Sequence, residues 1–167
     1  MDVAERSFAL ITDSDLKRLV PLVLSKLKEA FARTEVAALY QGRLRALTLC
    51  QGASQHYIDR CNGVKDIDVW SFFEGGLAKP FPVRSVWNAD FGASHLGRSA
   101  DDLGYSGRRI DIMGRSIPMA PNEPVGIAIQ KWLKGGSTSG WYISKRPVIG
   151  LHPEGLFGRK LWMPTNG

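Results

Sequence analysis

Two β-type segments separated by one short helical segment constrain the fold more than any other feature of the chain. The first, LRALTLCQ (44–51), ends in an apolar run that stops at Gly52, which is typical of a buried strand. The second, VKDIDVWSFF (64–73), is rich in β-branched and aromatic residues and alternates apolar with polar positions. The stretch QHYIDR (55–60) between them predicts a short helix. This order favours an α/β fold with a central sheet.

Two further segments predict helices outside this core. Apolar residues recur at helical spacing over 14–33, behind Thr12 and Asp15, which have the pattern of a capping box. Pro21 is expected to kink this helix or to end its first turn. The second helix is predicted over 124–134, with a proline in its first turn and a Gly-Gly pair at its end.

The remaining elements are predicted from shorter patterns. The stretch 108–112 is β-like, one strand is expected over 83–87, and 117–121 is expected to be extended. Residues 137–167 are rich in glycine, proline and basic residues, and we expect a basic tail of strand or loop. Together the segments predict one domain over the whole chain, a central mixed β-sheet with flanking helices whose motif core spans about 46–113.

Composition and charge limit the classes of function. The chain has 22 Lys and Arg against 16 Asp and Glu, a net charge of +6, which favours anionic partners such as nucleotides, nucleic acid or acidic proteins. It contains no apolar run near the roughly 18 residues that cross a bilayer, so no membrane partner is expected. The first ten residues lack the basic start and apolar segment of a signal peptide. We therefore expect a cytoplasmic protein with Cys50 and Cys61 reduced.

Paired aspartates in the second β-type segment are the strongest chemical signal. Asp66 and Asp68 are two residues apart on a predicted strand, so their carboxylates share one face. Two neighbouring carboxylates are costly without a cation, and Mg²⁺ or Mn²⁺ fits because these ions prefer oxygen ligands. Asp111 on a later strand offers a third carboxylate, so the sequence predicts a two-metal site. Asp101 and Asp102 compete for that third position, but their Gly/Ser-rich surroundings predict an exposed loop.

Four other positions are candidates for binding a phosphate group. Gly52 permits a close backbone approach, and the amides that begin the following helix can hold a phosphate, with Ser54 beside them. Arg109 shares its strand face with Asp111, so it is predicted to neutralise that acid or to bind phosphate. Lys131 lies on the later helix, where it can reach a triphosphate or belong to a solvated surface.

The order of these motifs resembles that of the nucleotidyltransferase superfamily, the fold of polymerase β. In that family an apolar segment leads into Gly followed by Gly or Ser, and then a short helix. An acid-X-acid pair comes next, and a third acid follows on a later strand. The chain matches this pattern at Gly52, Asp66, Asp68 and Asp111, and departs from it at Ala53.

The resemblance implies a Mg²⁺-dependent enzyme that moves a nucleoside monophosphate from a nucleoside triphosphate to an acceptor and releases pyrophosphate. Asp66 and Asp68 would hold the metals that bridge the triphosphate, and Asp111 would complete the second metal and help activate the acceptor. Gly52 and Ser54 would cradle the β- and γ-phosphates. The acceptor stays open among RNA, a protein side chain, a small molecule and another nucleotide.

Two other functions stay open. The departure at Ala53 is compatible with a catalytically silent domain that binds or regulates a partner. Basic and aromatic residues near the C-terminus form either a nucleic-acid surface or a plain solvated one: Lys145, Arg146, Arg159 and Lys160, interleaved with Trp141, Tyr142 and Trp162. In a protein that only binds nucleic acid, the Asp-Ile-Asp sequence would be an incidental feature of a polar edge strand.

Overall fold

The computed structural model describes residues 4–82 and 87–165. The helices are α1 (Asp13–Arg33), α2 (Glu35–Ala38), α3 (Gln51–Asp59), α4 (Val125–Lys134) and α5 (Thr138–Ile143), with a 3₁₀ turn over Glu154–Leu156. The strands are β1 (Leu44–Cys50), β2 (Ile67–Glu74), β3 (Trp87–Asp90), β4 (Arg109–Ile117), β5 (Val148–His152) and β6 (Lys160–Trp162).

Over the described residues the strands form one mixed sheet in the order β3-β4-β2-β1-β5-β6. Strand β2 runs parallel to β4, and the other neighbouring pairs are antiparallel. This arrangement confirms the α/β class and the mixed sheet predicted from the strand–helix–strand order. Within the same residues, no helix combines the length and apolar character that a membrane span requires.

Helices cover both faces of the sheet, and the alternation of β2 decides which side chains face which helices. Val69 and Phe73 belong to the core cluster that includes the buried residues of α1. Trp70 and Phe72 belong to a second cluster with the buried residues of α4 and α5. Because successive strand residues point to opposite faces, Asp68 lies on the α4–α5 face. The alternation predicted for this segment is therefore confirmed over residues 69–73.

Helix α1 matches the prediction except at its proline. The capping box is present: the Thr12 side chain accepts from the Asp15 amide, and the Asp15 carboxylate accepts from the Thr12 amide at 2.8 Å. Pro21 lies inside the helix on its exposed side and does not end it. Burial of neighbouring residues such as Leu19 and Val23 offsets the hydrogen bond that Pro21 cannot donate.

Strand β4 extends beyond the predicted 108–112, because its pairing with β2 continues to Ile117. Gly114 lets the strand pass under an aromatic ring, since an added Cβ would lie 2.5 Å from the Phe81 side chain. Of the segment expected to be extended over 117–121, only Ile117 belongs to a strand. The strand expected over 83–87 falls mostly outside the described residues, and β3 begins at Trp87.

The basic tail, expected to be strand or loop, contains two strands and one helix. Strand β5 lies between β1 and β6, so this part of the chain supplies an inner strand of the sheet. Helix α5 forms where strand or loop was expected, because the Ser137 side chain caps it by accepting from the Gly140 amide at 3.0 Å.

Candidate functional site

Strand pairing brings the three predicted aspartates together. Asp68 and Asp111 are Cα partners in the parallel pairing of β2 with β4, so neighbouring strands hold them side by side, about 4.8 Å apart at the backbone. Asp66 directly precedes β2, on the same face as Asp68. All three stand near the N-terminal ends of the two strands.

Arg109 lies among these acids. Its Nε donates to Asp111 Oδ1 at 2.8 Å, and its Nη2 donates to Asp111 Oδ2 at 3.3 Å. Nη2 also lies 3.2 Å from Asp66 Oδ2. The predicted neutralisation of Asp111 by Arg109 is therefore present, and it extends to Asp66.

Asp102 is a fourth acid of the site, and its expected place in an exposed loop was wrong. Its side chain is only 6% exposed, and its Oδ1 accepts from Arg109 Nη1 at 3.0 Å. A local sequence pattern does not reveal this, because the ion pair depends on how the loop folds back toward β4. We call Asp66, Asp68, Asp102 and Asp111 the acid cluster.

Asp68 is the acid that Arg109 leaves unpaired. Within the described chain its carboxylate makes no hydrogen bond and no ion pair. Burial, followed by the negative charges of Asp111 and Asp66, raises its pKa to about 7 against the opposing effect of Arg109. Burial likewise raises the pKa of Asp66. The site therefore holds Asp68 in an environment that disfavours its charge.

The acid cluster is short of positive charge. Three of its four carboxylates share one guanidinium, the fourth has none, and two buried oxygens, Asp66 Oδ1 and Asp102 Oδ2, have no hydrogen-bond partner among the described residues. Those residues contain no group of three or more acidic, histidine or cysteine side chains already arranged around one metal position. Arg109 stands between the acids instead. The donor set thus fits a divalent cation in its chemistry, provided that Arg109 moves aside.

Helix α3 begins at the same edge of the sheet. Cys50, the last residue of β1, pairs with Asp68, so the first turn of α3 starts beside the acid cluster. Cys50 is also the N-cap and gives the helix no side-chain hydrogen bond, which leaves the first amides of α3 without that partner in the described structure. Burial raises the pKa of the Cys50 thiol to about 12, so it does not serve as a thiolate.

The backbone around Gly52 is open, whereas Ser54 is not. Gln51 takes a left-handed φ of 57°, which turns the chain sharply from β1 into α3. Gly52 is exposed, and an added Cβ would meet no atom within 4 Å, so its surroundings have room for a ligand. The buried Ser54 hydroxyl instead contacts two carbonyl oxygens, 2.6 Å from Pro147 and 2.9 Å from Gln51. The structure therefore turns Ser54 away from any phosphate at the surface.

Lys131 is not brought to the acid cluster. Its Nζ donates to Glu123 Oε2 at 2.7 Å, beside a cavity of about 550 Å³ that Pro118 also lines. Pro118 follows the C-terminal end of β4, whereas Asp111 lies near the start of that strand, about 20 Å away at 3.3 Å per residue. Lys131 is exposed and distant from the acids, so it belongs to a solvated surface, the second of the two alternatives that the sequence left open.

Two further groups near the acids were not predicted. Asn88 on β3 is the Cα partner of Asp111, and with its amide nitrogen facing that acid it donates to Asp111 Oδ1 at 2.9 Å. Arg115 lies 4.8 Å from the centre of the Trp70 ring and donates to Ser139 Oγ of α5 at 2.7 Å. Alternation along β4 places Arg115 on the face of Asp111, which is the sequence signal that could have revealed it.

Comparisons with protein-family models, with curated proteins and with solved structures find no match to this chain. The likeness to nucleotidyltransferases therefore stays a prediction, based on the motifs and on the order of the elements that carry them.

Proposed function

We propose that the chain is a divalent-metal-dependent nucleotidyltransferase, which moves a nucleoside monophosphate from a nucleoside triphosphate to an acceptor and releases pyrophosphate. The observation that carries this proposal is the pairing of Asp68 with Asp111 on parallel strands, with Asp68 unpaired and raised in pKa. A cluster short of positive charge beside an uncapped helix start suits a magnesium-bound triphosphate.

Asp66, Asp68 and Asp111 would hold Mg²⁺ or Mn²⁺. When bound, the ions would neutralise the triphosphate, stabilise the leaving pyrophosphate and lower the pKa of the attacking group. The amides at Gly52 and the residues after it would donate to phosphate oxygens. Ser54 would not contact phosphate, because its hydroxyl lies against the Pro147 and Gln51 carbonyls inside the protein.

Arg109 would change partners in this scheme. Its guanidinium holds Asp66, Asp102 and Asp111 together while cations are absent. Cations on the carboxylates would release the guanidinium, which can then pair with phosphate oxygens in the forked geometry that arginine favours. Asp111 would then be free to help position and activate the acceptor.

Binding of each nucleoside triphosphate with Mn²⁺, measured by titration calorimetry, tests the site. We expect Asp68→Asn to weaken Mn²⁺-dependent nucleotide binding at least tenfold. The matched control is Asp101→Asn, since Asp101 is an exposed acid near the site that makes no ion pair among the described residues. Equal nucleotide binding with Mn²⁺ and with EDTA in the wild-type protein would contradict the proposal.

One observation favours a second function, a catalytically silent domain that binds or regulates a partner. Arg109 already pairs with three of the four acids, so the acid cluster is partly satisfied by a side chain of its own chain. In that case Arg109 would be a structural ion-pair centre. Unchanged binding of Mn²⁺ and nucleotide in both Asp68→Asn and Asp111→Asn would favour this function over the enzyme.

A further inference from the structure

The net positive charge of the chain lies mostly toward its C-terminus, because acidic residues are scarce there. Residues 124–167 contain six of the 22 Lys and Arg but only one of the 16 Asp and Glu, Glu154. The acid cluster lies entirely outside this segment. A charge asymmetry of this kind points to an anionic partner for the C-terminal elements.

Helix α5 exposes two aromatic side chains in the same region. Trp141 is 52% exposed and Tyr142 is 60% exposed, with ring centres 4.9 Å apart and ring planes at 78°. The Lys145 ammonium lies 4.2 Å from the centre of the Trp141 ring. Large aromatic side chains are usually buried for their apolar area, so two adjacent exposed ones mark a candidate contact surface.

Strand β6 extends this surface. The Trp162 indole Nε1 donates to the Ser144 carbonyl at 2.9 Å, which joins the end of β6 to the end of α5. The Lys134 ammonium lies 5.9 Å from the centre of the Trp162 ring. Trp141, Tyr142, Lys145, Trp162 and Lys134 together form what we call the α5–β6 surface.

Aromatic rings beside ammonium groups suit one class of partner best. Single-stranded nucleic acid offers bases that stack on aromatic rings and phosphates that pair with lysine. A duplex hides its base faces within the stack and would leave the rings unused. An apolar protein partner would remove water from the lysine ammonium groups without offering them an opposite charge, which is unfavourable.

We propose that the α5–β6 surface binds single-stranded nucleic acid, with bases stacked on Trp141 and Tyr142 and phosphates beside Lys134 and Lys145. Basic residues that flank the surface, Arg146 among them, add to the attraction without contacting a base. This binding needs neither a nucleotide nor a metal, so it does not rest on the proposed function.

The surface also adjoins the face of the sheet that carries the acid cluster. Ser139 of α5 accepts from Arg115, which lies over Trp70, two residues along the same strand face from Asp68. A nucleic-acid strand bound on the α5–β6 surface would therefore lie close to the acid cluster. If the proposed transfer is correct, that strand supplies the acceptor, and this extension alone rests on the proposed function.

Fluorescence anisotropy tests the binding with the full chain in EDTA. The probes are labelled 15-nucleotide single strands of RNA and of DNA, and a duplex of the same length, each at 50 and 200 mM salt. We expect micromolar or tighter binding to the single strands, and weaker binding at the higher salt. The double variant Trp141→Ala, Tyr142→Ala should bind at least tenfold more weakly, since it removes both rings on which bases would stack. Lys145→Ala should reduce the salt dependence.

Matched controls separate this surface from general charge and general apolarity. Lys28→Ala removes an exposed lysine of α1, which packs on the other face of the sheet, and Leu39→Ala removes an apolar side chain that is 53% exposed. Both should bind within twofold of wild type. Circular dichroism verifies that each variant is folded.

Three results would overturn the proposal. They are the absence of wild-type binding to either single strand, equal binding of the duplex, and unchanged affinity in the double aromatic variant. Binding to phosphatidylserine vesicles without binding to oligonucleotides would assign the surface to an anionic membrane instead. Because the assay contains no nucleoside triphosphate, a failure here differs from a failure of the metal-dependent site.

Discussion

Replacing Asp68 with asparagine should stabilise the metal-free protein at neutral and alkaline pH. The side chain keeps its size and loses the charge that the site disfavours. A pKa that rises from 3.8 to about 7 on folding corresponds to about 4 kcal/mol at about 1.4 kcal/mol per tenfold change in proton affinity. The buried amide offsets part of this gain, since an imperfectly bonded polar group costs about 1–3 kcal/mol. We therefore expect a net gain of about 1–3 kcal/mol at pH 8.

The gain should depend on pH in a defined direction. Well below pH 3.8, Asp68 is protonated in both the folded and the unfolded chain, so removing its charge changes little. As the pH rises from 4 toward 7, the unfolded chain loses the Asp68 proton first, and the wild-type protein loses stability relative to Asp68→Asn. Above pH 7 the difference should reach a plateau.

Urea denaturation of both proteins in EDTA, from pH 4 to pH 9, measures this difference. Asp90→Asn is the contrasting variant. Burial alone would raise the Asp90 pKa, but hydrogen bonds from the amides of Ser106, Gly92 and Gly107 outweigh it and lower that pKa. Its folded carboxylate therefore stabilises the protein, and its loss should cost stability above pH 4. A stability loss in Asp68→Asn at pH 8 would refute the argument that the site strains this carboxylate.

Three further variants separate the roles of the neighbouring residues. Arg109→Gln should lower the free energy of unfolding by about 2 kcal/mol, because it leaves the paired acids without their cation. In urea denaturation, millimolar Mn²⁺ should restore more stability to this variant than it adds to wild type. A variant as stable as wild type would contradict this role. Ser54→Ala should lower the free energy of unfolding by about 1–3 kcal/mol, because the buried Pro147 carbonyl loses its donor. Mn²⁺-dependent nucleotide binding, measured by calorimetry, should stay within twofold of wild type. Lost binding with unchanged stability would instead place Ser54 in the nucleotide site. Gly52→Ala should leave the free energy of unfolding within about 1 kcal/mol of wild type, because the added Cβ meets open space. It should weaken nucleotide binding about tenfold, because that space is where the phosphate would lie. Unchanged binding would remove Gly52 from the site.

The part of the site that the sequence could predict depends on local periodicity. Alternation over 64–73 predicted that Asp66 and Asp68 share a face, and Asp66 does meet Arg109 beside Asp111, the strand partner of Asp68. The β-like pattern around Asp111 predicted a strand, and the parallel pairing of that strand with β2 places Asp111 beside Asp68. These features follow from the two-residue period of a strand, which can be recognised from a few neighbouring residues in the sequence.

The errors arose where distant residues decide the outcome. Ser54 turns inward because its hydroxyl contacts the carbonyl of Pro147, 93 residues later in the chain. Asp102 is buried because a loop returns it to Arg109. Helix α5 has only six residues, and its aromatic and β-branched composition favours a strand by propensity alone. Its side-chain cap and its packing against the sheet decide in favour of a helix.

The most direct test of the central claim is transfer of label from the α-phosphate of each of the four nucleoside triphosphates. The protein is incubated with Mg²⁺ and total cell RNA and protein, and pyrophosphate release is followed in parallel. The account predicts labelled acceptor and pyrophosphate in equal amounts with wild type and Asp101→Asn, and a loss of at least 100-fold with Asp68→Asn and Asp111→Asn. Transfer by Asp111→Asn at the wild-type rate, or no transfer from any of the four nucleotides, would contradict it.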